Sequence, residues 1–322
     1  MAPALEMISV PLYIRPAQPA DYPAITAIHN AQTVAAFRTT AERLRAGDEA
    51  AGRRDASFRR LVAEEDGDVV ATGSFHAAWS GEVHPGRLWV ILHVRADRRH
   101  QGLDVRLLRT ALDELGGGVT EAWTCIREDL VPAAGFLESA GFAEHFRSWG
   151  AHLDPQSFDA ARFAPLVQQL EATGIRLLGA AELAGDHDRD ARLITLQRAV
   201  EEDAVAFEPI IPQLLEDVRS PDTIPGSVVV AVASDGAYVG LASLLGDATQ
   251  TACSSGFVGV ARPYRNRGIA TALMARTIAI ARELGCRDLN AGGGGVNTSM
   301  LRVSRKLGFT IEPAWITFAS ER

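Results

Sequence analysis

The sequence predicts an α+β protein made of two tandem copies of one domain plan, and three observations carry that expectation. The chain has 322 residues, 47% hydrophobic and 22% charged, which is ordinary globular composition at twice the usual length of one domain. It also repeats itself. Val94-Arg-Ala-Asp-Arg-Arg-His-Gln-Gly102 and Val260-Ala-Arg-Pro-Tyr-Arg-Asn-Arg-Gly268 stand at a constant offset of 166. Finally, each copy mixes short turn-bounded runs that read as strands with segments of helical period.

In the first copy Ile14-Arg-Pro16 opens a short strand, and Asp21 stands where it can cap a helix whose Ile25 and Ile28 share a face. Val69 to His76 and Arg87 to Val94 read as strands, with Glu65-Asp66-Gly67 as an antiparallel hairpin turn. A helix follows Gly102, carrying Leu108, Leu112 and Leu115, and Gly116 sits where a helix-ending glycine belongs. The second copy runs the same course. Ile175-Arg-Leu177 opens a strand, Leu193, Leu196 and Val200 mark a helix over 189–203, and Ser227 to Val232, Tyr238 to Leu245 and Gly256 to Val260 read as strands around a Ser234-Asp235-Gly236 turn. After Gly268 comes a helix with Ile269, Leu273, Ile280 and Leu284, closed by Gly285. Both copies end alike, Phe136 to Phe142 against Val303 to Phe309, each before a terminal strand. The expected boundaries are a domain over 1–155, a partly helical linker over 156–173 with Leu166, Val167 and Leu170, and a domain over 174–322.

Thirty-two basic against forty acidic residues give a net charge of -8. Both halves share the acidic excess, so neither supplies the basic face of a nucleic-acid binder. No run of about 18 apolar residues occurs, and Met1 to Val10 lacks the basic start and apolar core of a signal peptide, which predicts a soluble cytoplasmic protein with no membrane contact. Cys125, Cys253 and Cys286 form an odd set without disulfide or metal spacing, and none of the eight histidines falls in an H-x-x-x-H pattern. Neither a disulfide framework nor a metal site is expected.

Chemistry concentrates in Val258 to Thr271. A strand ends near Val260, a loop with Arg262, Arg265 and Arg267 follows, and Gly268 opens a helix. Successive backbone N–H groups at such a turn, added to the positive end of a helix dipole, make an anion site. Gly268 and Ala270 let a phosphate approach the backbone, Thr271 can add a hydroxyl donor, and Arg265 and Arg267 can add charge. A pyrophosphate is the natural ligand; an exposed basic loop ended by a glycine is the competing reading. The pattern is no Walker loop, because no Gly-Lys-Ser/Thr follows, and it lacks the first glycine of a dinucleotide fingerprint.

With Arg265-x-x-Gly268-x-Ala270, Asn297 after the next strand and Leu-Gly-Phe ending at Phe309, the chain resembles the GNAT superfamily of acyl-CoA-dependent N-acetyltransferases. Specific motifs carry the resemblance over 174–320 and weaker ones over 12–153. It implies two GNAT-like domains, each a mixed, mainly antiparallel central sheet flanked by helices. It further implies acetyl-CoA as co-substrate and no metal. The pantetheine arm would insert between two splayed strands and pair with the main chain of Phe257, Val258, Gly259 and Val260. The pyrophosphate would meet Arg265, Asn266, Arg267, Gly268, Ile269, Ala270 and Thr271, with Asn297 and Met300 completing the set. The reaction implied is direct attack of a neutral amine on the thioester, which needs a base because a free amine is mostly protonated at neutral pH.

Several positions depart from the family pattern. Where many members place a general-acid tyrosine, the second copy has Ser304 and the first has Leu137. Ser304 is either a weak donor or water-holding group in that role, or an ordinary helix-surface serine. Gly292 to Gly295 stand where relatives often carry polar side chains, and either widen the floor of the acceptor site or form a flexible loop. For the base, Glu201, Glu202, Asp203 and Glu208 follow the helix expected to overhang the acceptor. Glu208 is the candidate, because Phe207 and Pro209 would partly desolvate it and raise its pKa. In the first copy Asp104 replaces Ala270, setting a carboxylate against the incoming pyrophosphate, and no asparagine follows the strand. That copy is expected to be degenerate, structural or substrate-shaping. The expected function is acetyl transfer from acetyl-CoA to a primary amine of a small molecule or peptide, in the C-terminal domain of a monomer or homodimer. The alternative is a non-catalytic acyl-CoA-binding sensor of the same fold.

Overall fold

The computed structural model describes residues 12–33, 38–79, 82–83, 86–129, 131–179, 181–202, 223–246 and 251–321. The first repeat runs β1 (Leu12–Pro16), α1 (Tyr22–Asn30), α2 (Ala41–Arg54), β2 (Arg59–Glu65), β3 (Asp68–His76), a small hairpin of β4 (Ala78–Trp79) and β5 (Glu82–Val83), β6 (Arg87–Val94), α3 (Leu103–Leu115), β7 (Glu121–Arg127), α4 (Val131–Ser139) and β8 (Ala143–Leu153). The second runs α5 (Ala164–Ala172), β9 (Arg176–Gly179), α6 (Arg189–Glu202), β10 (Val229–Val232), β11 (Tyr238–Leu245), β12 (Ala252–Val260), α7 (Ile269–Glu283), β13 (Asp288–Gly294), α8 (Thr298–Leu307), β14 (Thr310–Ile311) and β15 (Trp315–Glu321).

Packing divides the chain into two compact units that do not follow the repeat boundary. The first unit is Met1–Ile126, Pro132–His145 and Thr317–Arg322; the second is Arg127–Val131 and Phe146–Ile316. The first unit's strands run in the order β1-β2-β3-β6-β7-β15, and the second's in the order β8-β13-β12-β11-β10-β9, with β14 also on β8. Most of each repeat's last strand is therefore seated in the sheet of the other unit, which the expected domains over 1–155 and 174–322 did not foresee. The segment 156–173, expected as a linker, instead belongs to the second unit's core. There Phe158 and Phe163 stack with ring centroids 5.5 Å apart, and Leu170 of α5 is buried beside Ile175 and Val229.

The sheets are mixed and mainly antiparallel, as the turn chemistry predicts. Asp66 and Gly67 join β2 to β3 with φ of 53° and 81°, the left-handed pair that a tight hairpin requires. In the second unit the apolar run of β10 is explained by cover on both faces. Val229 and Ala231 pack with Leu273 of α7, whereas Val228, Val230 and Val232 pack with Leu193, Leu196 and Val200 of α6. Strand alternation sends neighbouring residues to opposite helices.

Some local expectations shift. Asp21 precedes α1 without capping it through its side chain; its carboxylate takes two bonds from Arg15 and one from the Gln18 N–H. The buried stripe of α3 is Leu103, Leu107 and Ala111, joined by Leu112, while Leu108 and Leu115 are only half-buried. The i, i+4, i+8 row, one residue away from the leucine spacing, faces the sheet.

Candidate active site

The site of the second unit begins where two parallel strands part. β12 pairs with β13 only through Ala252, Cys253 and Ser254. Beyond Ser254, β12 keeps its other neighbour β11, with Ala242 opposite Val258, Leu241 opposite Gly259 and Gly240 opposite Val260. β13 meanwhile continues against β8 through Gly294. Among the described residues the edge of β12 from Ser255 to Val260 is thus left without a ladder partner on the β13 side, which is where an inserted extended chain can pair. Gly259 keeps this stretch slim. A Cβ there would meet Val200 of α6 at 2.5 Å and the Phe257 ring at 2.6 Å.

At the end of β12 the chain forms a short helical turn, Arg262–Tyr264, and reaches α7 through Asn266 at φ 63° and Gly268 at φ 86°. Asparagine and glycine are the residues that tolerate these left-handed conformations. At Gly268 a Cβ would also lie 2.7 Å from Leu166 Cδ1 of α5, so both conformation and space call for glycine. Arg265 ties the loop to the strand, its Nε donating to the Val260 carbonyl at 2.9 Å. Arg267 donates to the Pro263 carbonyl at 3.1 Å and lies 5.1 Å from the Tyr264 ring centroid, holding positive charge on an exposed loop. The side chains of Ile269 and Thr271 are buried in α7, which leaves their backbone N–H groups as the donors nearest the loop surface. Ala270 is half-buried on the first turn of the helix.

The first repeat builds the same backbone. Its loop starts at Arg95 with φ −53° and ψ 139°, against −54° and 138° at Ala261. His100 has φ 62° and Gly102 φ 73°, matching Asn266 and Gly268. β6 and β7 likewise pair only at Arg87, Leu88 and Trp89 before parting. What differs is the side chain on the first turn: Asp104 places a carboxylate there, its Oδ1 accepting from the Val105 N–H at 2.9 Å.

Behind the splay in the second unit lies a cavity of about 110 Å³. β12 lines it with Ser255, Gly256 and Val258, β13 with Ala291 and Gly292, and α7 with Met274. Asn297, Met300 and Ser304 line it from α8 and its start, and Trp149 from β8. The structure therefore brings Val258, Asn297, Met300 and Ser304 to one space. Asn297 also caps α8, its Oδ1 accepting from the Met300 N–H at 3.2 Å, which leaves the amide N–H₂ for another partner. Ser304 is fully buried and its hydroxyl has no hydrogen-bond partner, so it is not a helix-surface serine. None of the described lining residues is titratable. Nearby, burial pushes the Cys253 thiol well above its ordinary pKa.

The glycine run belongs to a strand rather than a flexible loop: Gly292, Gly293 and Gly294 are the end of β13. Gly293 faces Trp149 in the β8 register, and a Cβ on it would stand 3.0 Å from Cζ2 and 3.2 Å from Nε1 of the indole. Trp149, Gly256 and Met274 were not legible as site residues from the sequence. The one signal for Trp149 was the bare glycine strand, which needs a large side chain from elsewhere to cover it. Glu201 and Glu202 close α6, while Asp203 and the candidate base Glu208 lie outside the described residues.

A tandem pair of mixed sheets, each splayed beside a glycine-opened helix, is the architecture of the acetyltransferase (GNAT) fold. The chain belongs to the acetyltransferase (GNAT) family, which matches it twice, over residues 22–142 and 195–309. It is similar to an N-acetyltransferase from Sphaerobacter thermophilus, at 20% identity and a TM-score of 0.70, each chain covered over 97%. It is also similar to a tandem GNAT protein of the clavulanic acid biosynthesis pathway, at 17% identity and a TM-score of 0.66, covering 97% of this chain and 98% of that one. A third likeness, to the glucosamine N-acetyltransferase region of a fungal multi-domain β-N-acetylglucosaminidase, has 14% identity and a TM-score of 0.71, covering 97% of this chain and 38% of that one. No curated protein matches the sequence. Among the described residues no helix is long and apolar enough to cross a membrane, and no group of three His, Cys, Asp or Glu could hold a metal ion.

Proposed function

We propose that the second repeat transfers an acetyl group from acetyl-CoA to a primary amine of a small molecule or peptide. The observation that carries this reading is the continuity of three features: the anion loop at Arg265–Ala270, the unpaired edge of β12, and the cavity ending at Ser304. The residues present fit coenzyme A. The loop offers backbone N–H groups and arginine charge to a pyrophosphate, and the edge at Val258–Val260 offers main-chain partners to an extended amide arm. Asn297 has an amide N–H₂ to spare. Bound acetyl-CoA would supply an acyl thioester whose C–S bond breaks as the C–N bond to the amine forms.

Each remaining task falls to this chain's own groups. Main-chain N–H of β12 polarises the acyl carbonyl, in the manner of any preorganised oxyanion donor. The Ser304 hydroxyl donates a hydrogen bond to the departing sulfur directly or through a water, and the proton lost by the amine returns to that sulfur through solvent. Since none of the described lining residues is acidic, Glu208 is the proposed acceptor of the amine proton, with a water relay as the other route. The first repeat keeps the loop backbone but not the chemistry: Asp104 opposes a phosphate with its own carboxylate, so this copy is proposed to bind no coenzyme A.

The absence of an acid among the described lining residues also favours a second reading, an acyl-CoA sensor without turnover. One experiment separates them. Full-length protein is titrated calorimetrically with acetyl-CoA, then incubated with acetyl-CoA and a panel of primary amines while free thiol is measured. Binding with thiol release supports the enzyme; binding with no release by any amine supports the sensor; absence of binding overturns both.

A further inference from the structure

The cavity behind β12 contains more hydrogen-bonding capacity than its surroundings use. Trp149 is 6% exposed and Ser304 0%, and neither Trp149 Nε1 nor Ser304 Oγ has a partner. A third unpartnered hydroxyl, Ser243 Oγ, lies directly beneath Gly256, close enough that a Cβ on that glycine would collide with it. Burying polar groups unpaired is costly, and such groups persist where a ligand or water completes them. The rest of the described wall mixes the apolar side chains of Val258, Met274, Ala291 and Met300 with the neutral polar ones of Ser255 and Asn297. None of the described lining residues carries a charge, so against them a carboxylate-bearing acyl chain would be buried without a counter-ion, which is strongly unfavourable. A space of about 110 Å³ takes about three or four groups the size of a water. That matches a short neutral acyl chain.

Trp149 sets this limit. Its indole lies against Gly293 in the β8–β13 register, and that fit needs a glycine, since a Cβ would stand 3.0 to 3.2 Å from three atoms of the ring. The ring is thereby fixed as one wall of the cavity, on a strand remote in sequence from every other lining residue.

We propose that Trp149 is the acyl-selecting residue of the second repeat, its ring closing the cavity to chains longer than about three or four carbons and its indole N–H donating to the acyl oxygen alongside the main-chain N–H of β12. The inference rests on the acyl-CoA reading above and deepens it. Two variants separate ring from donor: Trp149→Leu shortens the wall, and Trp149→Phe keeps an aromatic wall without the N–H. Each is titrated calorimetrically with acetyl-, propionyl- and hexanoyl-CoA, and thiol release is followed with the same donors. Wild type is expected to bind acetyl- and propionyl-CoA at least tenfold more tightly than hexanoyl-CoA. Trp149→Leu is expected to narrow that ratio about tenfold, as two or so newly buried methylenes would. Trp149→Phe is expected to leave the ratio unchanged while lowering kcat for acetyl transfer about tenfold, with KM little altered. A Trp149→Leu protein that binds coenzyme A but weakens all three donors by one common factor overturns the inference alone. A wild type that binds no acyl-CoA overturns the reading of the site together with it.

Discussion

Replacing Gly268 by alanine tests both the loop geometry and the division of labour between the repeats, because Gly102 provides a matched control in the same chain. Gly268 has φ 86° and a Cβ there would sit 2.7 Å from Leu166 Cδ1, with Cδ2 and Cγ at 3.5 and 3.6 Å. Gly102 has φ 73° and nothing within 4 Å of its would-be Cβ. Holding an L-residue in the left-handed region costs roughly 1–2 kcal/mol at either position. Only at Gly268 does a steric cost add to it. Since the opposing atom is the end of a leucine side chain that can rotate, that cost belongs at the low end of the overpacking range, about 1 kcal/mol. Gly102→Ala should therefore lose about 1–2 kcal/mol and Gly268→Ala about 2–3 kcal/mol in urea-induced unfolding of the corresponding unit. Combining Gly268→Ala with Leu166→Ala should recover the steric part, a coupling of about 1 kcal/mol in a double-mutant cycle. In parallel, acetyl-CoA affinity should fall in Gly268→Ala and remain at the wild-type value in Gly102→Ala. Equal destabilisation by the two substitutions would refute the steric argument, and equal loss of acetyl-CoA affinity would refute the assignment of the cofactor to the second repeat.

Two further outcomes follow from the same comparison and from the charge network of the first unit. Ala270→Asp transplants the carboxylate of Asp104 into the second loop; unit charges about 4 Å apart at an effective dielectric of 20 repel by roughly 4 kcal/mol, so calorimetry should show acetyl-CoA affinity reduced by about two to three orders of magnitude with unfolding little changed. Asp21 takes hydrogen bonds from Arg15 at 2.7 and 3.0 Å, which hold its carboxyl below the usual carboxylate range. Its stabilisation is therefore present above the unfolded-state value of about 3.9 and is lost as pH falls through the lower folded value. Asp21→Asn should cost the first unit roughly 1–3 kcal/mol at pH 7 and flatten the decline of its stability below about pH 4, as measured by denaturant unfolding between pH 3 and 7.

Most of the fold was legible because its signals are local. β6 and β11 have the expected ends, Arg87–Val94 and Tyr238–Leu245, since turn residues and the anion loop bracket them. The loop itself was legible for the same reason: a strand end, a fixed gap and a glycine at φ 86° are all encoded within Val258 to Ala270. α2 was missed, because AERLRAGDEAAGRR carries too few apolar residues to show a helical stripe. Its side chains serve a polar role instead, with Asp48 accepting from Tyr22 and Arg60. The buried setting of Ser304 was missed as well, since its cover comes from strands and helices that no local pattern relates to it.

The exchange of last strands was illegible for a deeper reason. Local sequence decides that Ala143–Leu153 and Trp315–Glu321 form strands; it does not decide which sheet receives them. β7 and β13 present the same backbone edge, and a ladder of N–H and C=O groups does not distinguish one extended partner from another. Side chains make the choice. β13 ends in Gly292, Gly293 and Gly294, a surface with no side chains of its own, and Trp149 fits it with the indole against Gly293. At the corresponding stretch β7 carries the side chains of Cys125, Ile126 and Arg127 where β13 has only glycine, and the Cys125 thiol is hydrogen-bonded by Thr317 of β15 instead. A glycine strand that would be weak on entropic grounds thus becomes specific through one distant tryptophan. The same complementarity that selects the partner strand delivers the indole to the cavity wall, so that pairing specificity and the proposed acyl selectivity rest on a single contact.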